Sequence, residues 1–270
     1  MYYGSLDIWG DEWLWITDYK SLHSFIFQIL VILTLIILGI KGVSEAFSGK
    51  VSERYNSLTH AMLALFNELV KKKRDRFHSR AMHLTPKGDI FKAITHPKDQ
   101  LEFLLDGAKR FFEQGFRIEN KNIELTIIEG NDVAGRWSYA LRCDKQKIHT
   151  KASVLMKDKS TARYCYDSGD SLFIPDIRKG AKEGVFLVTE RSGYDREGSI
   201  YCRPVRIKVG TVDFSYVFTI AIFGQTICTP YDEEECKACE KILDELGDRV
   251  ELELYLYSMK LFKDRGLSAA

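Results

Sequence analysis

An apolar stretch near the N-terminus, Leu22 to Ile40, constrains this chain more than any other feature of its sequence. The stretch contains no Asp, Glu, Lys or Arg. At the helical rise of about 1.5 Å per residue it spans about 29 Å, close to the hydrocarbon thickness of a bilayer. It therefore predicts a transmembrane helix over residues 21–41, and a buried core helix of a soluble domain is the alternative.

The charges on either side of this stretch predict its orientation. Acidic residues dominate before it, whereas Lys41, Lys50 and Arg54 follow it. By the positive-inside rule, residues 1–20 form a short outer segment and the larger remainder is cytoplasmic. This charge order also argues against a cleaved signal peptide. We expect a single-pass protein of the cell membrane, with membrane lipid as its first partner.

The composition of the chain is typical of an intracellular globular domain. Its net charge of +1 gives no support to nucleic-acid binding. Six cysteines in a cytoplasmic domain are expected to be reduced thiols rather than a disulfide framework.

Residues 42–84 predict an amphipathic linking helix with a coiled-coil-like pattern. Its apolar positions step by four and three residues, at Val51, Tyr55, Leu58, Met62, Leu65 and Leu69. Two compatible interpretations remain open, a dimer interface and packing on the chain's own domain. The basic run from Lys71 to Arg76 is interpreted as a solvated helix end.

Residues 85–262 predict one mixed domain, followed by a tail at 263–270. A helix starts at Pro97, and a hairpin turns at Gly130-Asn131-Asp132. A terminal helix starts at Thr229-Pro230 with Thr229 as its cap, and carries a second apolar seam over 236–261. Further strand candidates are His149–Met156, Arg163–Tyr166, Val185–Thr189, Ser199–Val209 and Tyr216–Phe223.

Three segments carry a family resemblance. They are Leu172-Phe173-Ile174-Pro175-Asp176-Ile177, Gly198-Ser199-Ile200-Tyr201-Cys202-Arg203-Pro204-Val205, and Phe218 to Phe223 followed by Thr229 to Glu235. Together they resemble the GAF domain, a small-molecule sensory module related to the PAS fold. The resemblance implies an α+β fold, with an antiparallel sheet of five or six strands, helices on one face and a ligand pocket on the other. It also implies a homodimer through helices 51–69 and 236–261.

The resemblance further implies which residues line the pocket. They are Tyr164, Tyr166, Phe173, Asp176, Arg178, Tyr194, Tyr201 and Arg203. Aromatic walls with two guanidinium groups favour an anionic, planar metabolite or nucleotide. In the alternative, Arg178 and Arg203 form surface ion pairs with Asp167, Asp170 or Asp176.

The cysteines are interpreted mainly as packing residues. Cys236 and Cys239 have the spacing of a metal or redox motif, but both fall on the apolar seam beside glutamates, which raise a thiol pKa. We predict neither a metal site nor a catalytic residue, because no metal triad and no nucleophile–base pair appears with a spacing that indicates catalysis. An oxidoreductase using Cys202 and Cys165 is the disfavoured enzymatic alternative.

These features predict a membrane-anchored cytoplasmic sensor. It binds a small ligand whose identity the sequence leaves unknown, and it passes the change to a separate output protein or to the membrane helix. Two alternatives stay open: a single-pass effector that perturbs the bilayer, and a structural anchor with a degenerate pocket.

Overall fold

The computed structural model describes residues 20–85, 88–131, 135–143, 150–157, 160–184, 186 and 197–266. The chain divides into two compact units, Met1–Arg54 and Tyr55–Ala270. The predicted outer segment, except Lys20, lies outside the described residues. So do Tyr194, residues 267–270 and all of the Val185–Thr189 strand candidate except Phe186.

Helix α1 (Lys20–Arg80) supplies the apolar segment of the first unit. Its window Ser24–Gly42 has a mean hydropathy of 2.4 and no buried residue, so it is long and apolar enough to cross a membrane. The prediction of an apolar N-terminal helix is confirmed. The segment is not a buried core helix, because side chains such as Phe25 and Ile37 are exposed.

The second unit is built on one five-stranded sheet in which every neighbouring pair is antiparallel. The order across the sheet is β2-β1-β5-β4-β3. The strands are β1 (Ile123–Asn131), β2 (Arg136–Arg142), β3 (Leu172–Ile174), β4 (Gly198–Val209) and β5 (Val212–Phe223). This confirms the predicted α+β class, the antiparallel pairing of β1 with β2 and the two long strand candidates near 199–223. The predicted turn position was wrong, because Gly130 and Asn131 still pair with Trp137 and Arg136 within the β1–β2 ladder.

Five further helices lie within the described ranges of this unit. They are α2 (Pro97–Gly115), α3 (Ala152–Leu155), α4 (Thr161–Ser168), α5 (Ile177–Glu183) and α6 (Glu233–Asp264). A π-helical turn at Phe91–Thr95 and 3₁₀ turns at Ala81–His83 and Asn120–Asn122 connect them. Helices α2 and α6 pack on one sheet face, while α3 and α4 contact the strands from the other side.

The helix-covered face holds the larger core. Residues Leu125 and Ile127 of β1 are fully buried there, with Leu104 of α2 and Leu246 and Val250 of α6. The apolar spacing in both helices follows the 3.6-residue period, so each helix turns one stripe toward the sheet.

The described part of the linking-helix seam is buried within the same chain. Tyr55, Leu58, Met62, Leu65 and Leu69 have exposed fractions of 3–8%. Their partners lie on the unit's own helices, because Gly107 and Gly115 of α2 approach the side chains of Leu65 and Leu58. Packing on the chain's own domain is therefore the interpretation that the structure supports. A homodimer stays a prediction, and would need other faces of these helices.

Two strand candidates were wrong, because the segments are helical. In α3, Ala152 is buried with Met156, four residues later, which is a helical spacing. In α4, the Ser160 hydroxyl accepts a hydrogen bond from the Arg163 N–H at 3.0 Å and caps the helix. A short apolar run is compatible with either a strand or a helix. In this segment the Ser160 cap favours the helix.

The predicted start of the terminal helix was also wrong. Helix α6 begins at Glu233, and Asp232 rather than Thr229 is its cap, accepting from the Glu235 N–H at 3.0 Å. The Glu235 carboxylate in turn accepts from the Thr229 N–H at 3.0 Å. An Asp cap followed three residues later by Glu provides more acceptors than Thr229 does.

Candidate functional site

A cavity of about 80 Å³ lies on the sheet face opposite α2 and α6. Its sheet wall consists of Glu124, Thr126, Tyr139, Ile200, Cys202, Thr219, Ala221 and Phe223. Its cover consists of Thr150, Leu155, Ser160, Thr161, Ala162 and Phe186. A buried water molecule needs about 10–15 Å³ of such a cavity, so this volume has room for several water molecules or for a small ligand.

Strand register builds the polar floor of the cavity. Thr126 of β1 and Cys202 of β4 both pair with Thr219 of the central strand β5. Directly paired residues point to the same face, so all three side chains enter the cavity. The two threonine hydroxyls lie 2.6 Å apart and hydrogen-bond to each other.

Hydrogen bonds hold the cover in place. The Tyr139 hydroxyl donates to the Thr150 carbonyl at 2.6 Å, which joins β2 to the segment that precedes α3. The Ser160 hydroxyl donates to the Leu155 carbonyl and thereby links α3 to the start of α4. The register of β1 and β2 shifts between Ile127 and Ile128, and Tyr139 is the first β2 residue beyond that shift.

The cavity chemistry is apolar with hydroxyl groups. Among the described lining residues there is one carboxylate, Glu124, and no Lys, Arg or His. Apolar walls with a few convergent hydroxyls suit a small uncharged molecule better than an anion, because an anion would lose its hydration without an opposite charge and would meet the Glu124 carboxylate.

Cys202 lines the cavity but is a poor nucleophile. Its side chain is fully buried beside Cys165 in the same apolar cluster. Burial raises the pKa of Cys202 well above its ordinary value, and burial followed by the nearby Asp170 carboxylate raises the pKa of Cys165 to about 12. Since the thiolate is the reactive form, this pair is poorly suited to thiol chemistry at neutral pH.

The structure places Tyr201 and Arg203, both predicted to line the pocket, on the helix-covered face instead. The Tyr201 hydroxyl donates to Asp244 of α6 at 2.7 Å. The Arg203 guanidinium donates to Glu251 at 2.7 Å and pairs with Asp248 at 2.6 Å. Gly247 permits this approach, since a Cβ atom there would lie 2.7 Å from the Arg203 side chain.

Arg178 and Asp176 form an ion pair with each other. Arg178 donates to both Asp176 oxygens, at 2.8–3.1 Å, and also pairs with Glu197 at 3.1 Å. Asp176 additionally caps α5. Its hydrogen bond from the Arg178 side chain lowers the pKa of the Asp176 carboxyl. The surface ion-pair alternative thus describes Arg178 and Asp176 in this structure.

The predicted aromatic residues are also dispersed. Tyr164 is 52% exposed on α4. Tyr166 packs edge-on against Trp137 with ring centroids 5.0 Å apart, and its hydroxyl donates to Ser215 at 3.2 Å. Phe173 pairs with Tyr201 in the β3–β4 ladder. Of the seven described pocket candidates, none lines the cavity.

The alternation of side chains along β4 and β5 was the sequence signal that could have located the cavity. Tyr201 and Arg203 share one face of β4, whereas Cys202 between them must face the other way. Thr219 and Ala221 alternate in the same manner with Phe218 and Ile220 on β5. The small and hydroxylated members of these alternations line the cavity, and the large members fill the core.

The cysteines of α6 lie in a thiol cluster at its start. Cys239 is 1% exposed, and the Cys228 and Cys236 Sγ atoms lie 3.3 Å apart. Burial, followed by hydrogen bonding with Cys228, raises the pKa of Cys236 to about 12. Within the described ranges there is no group of three or more side chains arranged to hold a metal ion.

No protein-family model and no curated protein matches this chain.

Proposed function

We propose that this protein is a membrane-anchored cytoplasmic sensor whose GAF-like domain binds a small uncharged molecule in the sheet-face cavity. The observation that carries the proposal is the cavity lining, a mixture of apolar and hydroxyl side chains with Thr126 and Thr219 at its floor. No catalytic step is assigned to it.

Several features support the GAF-like assignment. An antiparallel sheet with long helices on one face and a cavity on the other is the arrangement that the resemblance implies. Of the resembling segments, Leu172–Ile174 forms a strand, Asp176 starts a helix, and Gly198–Val205 lies in β4 next to the cavity.

The ligand class differs from the anionic metabolite expected from the sequence. Both arginines that favoured an anion are engaged elsewhere, Arg203 with α6 and Arg178 with Asp176 and Glu197. An uncharged ligand needs only shape and hydroxyl partners, which this lining offers.

A short series of contacts connects the cavity to the linking helix. Cys202 in the cavity floor is the β4 neighbour of Tyr201, which is hydrogen-bonded to Asp244 of α6. Helix α6 is joined to α1 through the Lys73–Glu253 ion pair and a Tyr55–Glu235 hydrogen bond of 3.3 Å. A ligand shifts such a system only by its preference for one state, about 1.4 kcal/mol for each tenfold difference in affinity.

The proposal includes the orientation and the dimer. We place the N-terminus outside, and the second unit in the cytoplasm as a homodimer that signals to a separate output protein or to the membrane helix. Large apolar side chains remain exposed on both candidate dimer helices, at Leu63, Val70 and Phe77 of α1 and at Leu252, Tyr255 and Met259 of α6.

The test fills the cavity in the full-length protein held in lipid nanodiscs. Ala221→Leu adds volume at the floor, and Ala61→Leu makes the same change at an exposed helix position. In a thermal-shift screen of uncharged and anionic metabolites, we expect uncharged compounds to raise the melting temperature of the parent and of Ala61→Leu. The same compounds should leave Ala221→Leu unchanged.

Two outcomes would refute the proposal. One is stabilisation by the same compounds in Ala221→Leu, which would place binding elsewhere. The other is stabilisation by anionic metabolites alone that Ala221→Leu abolishes, which would contradict the uncharged ligand class.

A further inference from the structure

A second concave site lies away from the cavity, where α1, α2 and the Asn120–Asn122 turn meet. This groove has a volume of about 540 Å³. Its lining is Lys72, Phe103, Asp106, Lys109, Arg110, Asn120 and Cys143. The proposed sensory function uses none of these residues.

Lys109 is the unusual residue of the groove. Lys109 is 8% exposed and lines the open groove, so its methylene groups are packed while its ammonium group lies at the groove surface. An anion in the groove would form a charge-assisted interaction with this ammonium group.

Two more cations converge on the same groove. Lys72 comes from α1, with its ammonium nitrogen 3.4 Å from the centre of the Phe103 ring. Arg110 follows Lys109 on α2 and is exposed. Among the lining residues that the structure describes there are thus three cations, one carboxylate, Asp106, and the amide of Asn120.

We propose that this groove binds a phosphate-bearing anion. Phosphate oxygens accept several hydrogen bonds at once, which suits two ammonium groups, a fork-shaped guanidinium and an amide from three chain segments. A single carboxylate offers fewer acceptors for the same donors. The basic run from Lys71 to Arg76 thus contributes to a binding site rather than only to a solvated helix end.

The groove also has a mechanical consequence. Lys72 belongs to α1 and Lys109 to α2, so an anion held by both strengthens the packing of α1 against α2 within the second unit. Anything that binds only this docked arrangement stabilises it by mass action. The anion would therefore stabilise the packing of the linking helix independently of the cavity ligand.

The test uses the full-length protein in neutral phosphatidylcholine nanodiscs, titrated with pyrophosphate at constant ionic strength. Lys109→Met and Lys72→Met remove charge at nearly constant length, and Lys237→Met is the control on an exposed lysine. We expect pyrophosphate to raise the melting temperature of the parent and the control, with binding weakened about tenfold or more in both groove variants. Without pyrophosphate, Lys109→Met should melt close to the parent, because the ammonium group that it removes lies at the groove surface.

Weakened pyrophosphate binding by Lys109→Met, with an unchanged melting temperature in the absence of pyrophosphate, separates binding from a structural role. The proposal fails if pyrophosphate does not stabilise the parent, or if it stabilises both groove variants as strongly as the control.

A parallel arm replaces part of the neutral lipid with phosphatidic acid and omits pyrophosphate. Stabilisation that depends on Lys109 in this arm identifies a lipid headgroup as the phosphate source. If only the pyrophosphate arm responds, the source is a soluble phosphate.

Discussion

At the residue scale, buried charges fix the position of the linking helix. The Glu253 side chain is 1% exposed, and Lys73, which is 23% exposed, is its ion-pair partner. One carboxylate oxygen, Glu253 Oε2, is buried without a hydrogen-bond partner in the described part of the chain. The charge of the Glu253 carboxylate is therefore compensated by Lys73. We expect this ion pair to contribute more to the free energy of unfolding than the ion pairs between exposed side chains do.

Replacing Lys73 with Met should destabilise the second unit. The change leaves the Glu253 carboxylate buried and uncompensated, which typically costs about 3 kcal/mol. Glu253→Gln should cost less because it removes the buried charge, and Lys179→Met, at an exposed i,i+4 pair with Glu183, should change stability by less than about 1 kcal/mol. The free energy of unfolding in urea measures all three, and equal losses for Lys73→Met and Lys179→Met would contradict the argument.

At the element scale, periodicity predicted the long helices and strands but not the short connecting elements. The stripes of α2 and α6 and the alternation in β4 and β5 extend over enough residues for one period to dominate. Helices α3 and α4 are only four and eight residues long, so a single cap such as Ser160 outweighs the pattern. The predicted pocket residues lie outside the cavity for a related reason, since Tyr201 and Arg203 are each one position from Cys202, which lines it.

The approach of α6 to β4 leads to a prediction for Gly247. Gly247→Ala gains about 1 kcal/mol in helix propensity. Its Cβ atom would lie 2.7 Å from the Arg203 side chain and 2.9 Å from the Tyr201 hydroxyl. We expect this overpacking, typically about 1–3 kcal/mol, together with the disturbed ion pairs of Arg203, to lower the melting temperature.

Gly49→Ala is the matched control, because no heavy atom lies within 4 Å of a Cβ atom at that helical position. It should leave the melting temperature unchanged or raise it slightly. A rise for Gly247→Ala comparable to that of Gly49→Ala would show that the close approach is not limiting.

At the scale of the whole molecule, the apolar window distinguishes the first unit from the second. Its large side chains are exposed throughout, so they require either lipid or another apolar surface. The second unit buries most of its large apolar side chains against the sheet. The sequence predicted the apolar window directly, because this window depends on composition over a long stretch and not on tertiary contacts.

Charges in the window should release the chain from membranes. Leu33→Lys combined with Ile36→Lys introduces about 2.5–3.5 kcal/mol of insertion penalty per lysine. We expect the double variant to move to the soluble fraction after alkaline extraction, while Leu63→Lys, an exposed position of the second unit, stays in the membrane fraction. Membrane retention of the double variant would contradict a membrane-spanning role for this helix.

The pairing of α1 with α6 also has a consequence for biosynthesis. Tyr55 and Lys73 find Glu235 and Glu253 only after a further 180 residues have been made. At about 5–20 residues per second, the contacts of Tyr55 and Lys73 with α6 form only about 10–40 s after these two residues are made, whereas α2, which packs on Leu58 and Leu65, is made earlier. During that interval the nascent chain is a natural client for chaperones, and premature termination before Glu233 leaves Tyr55 and Lys73 without their α6 partners.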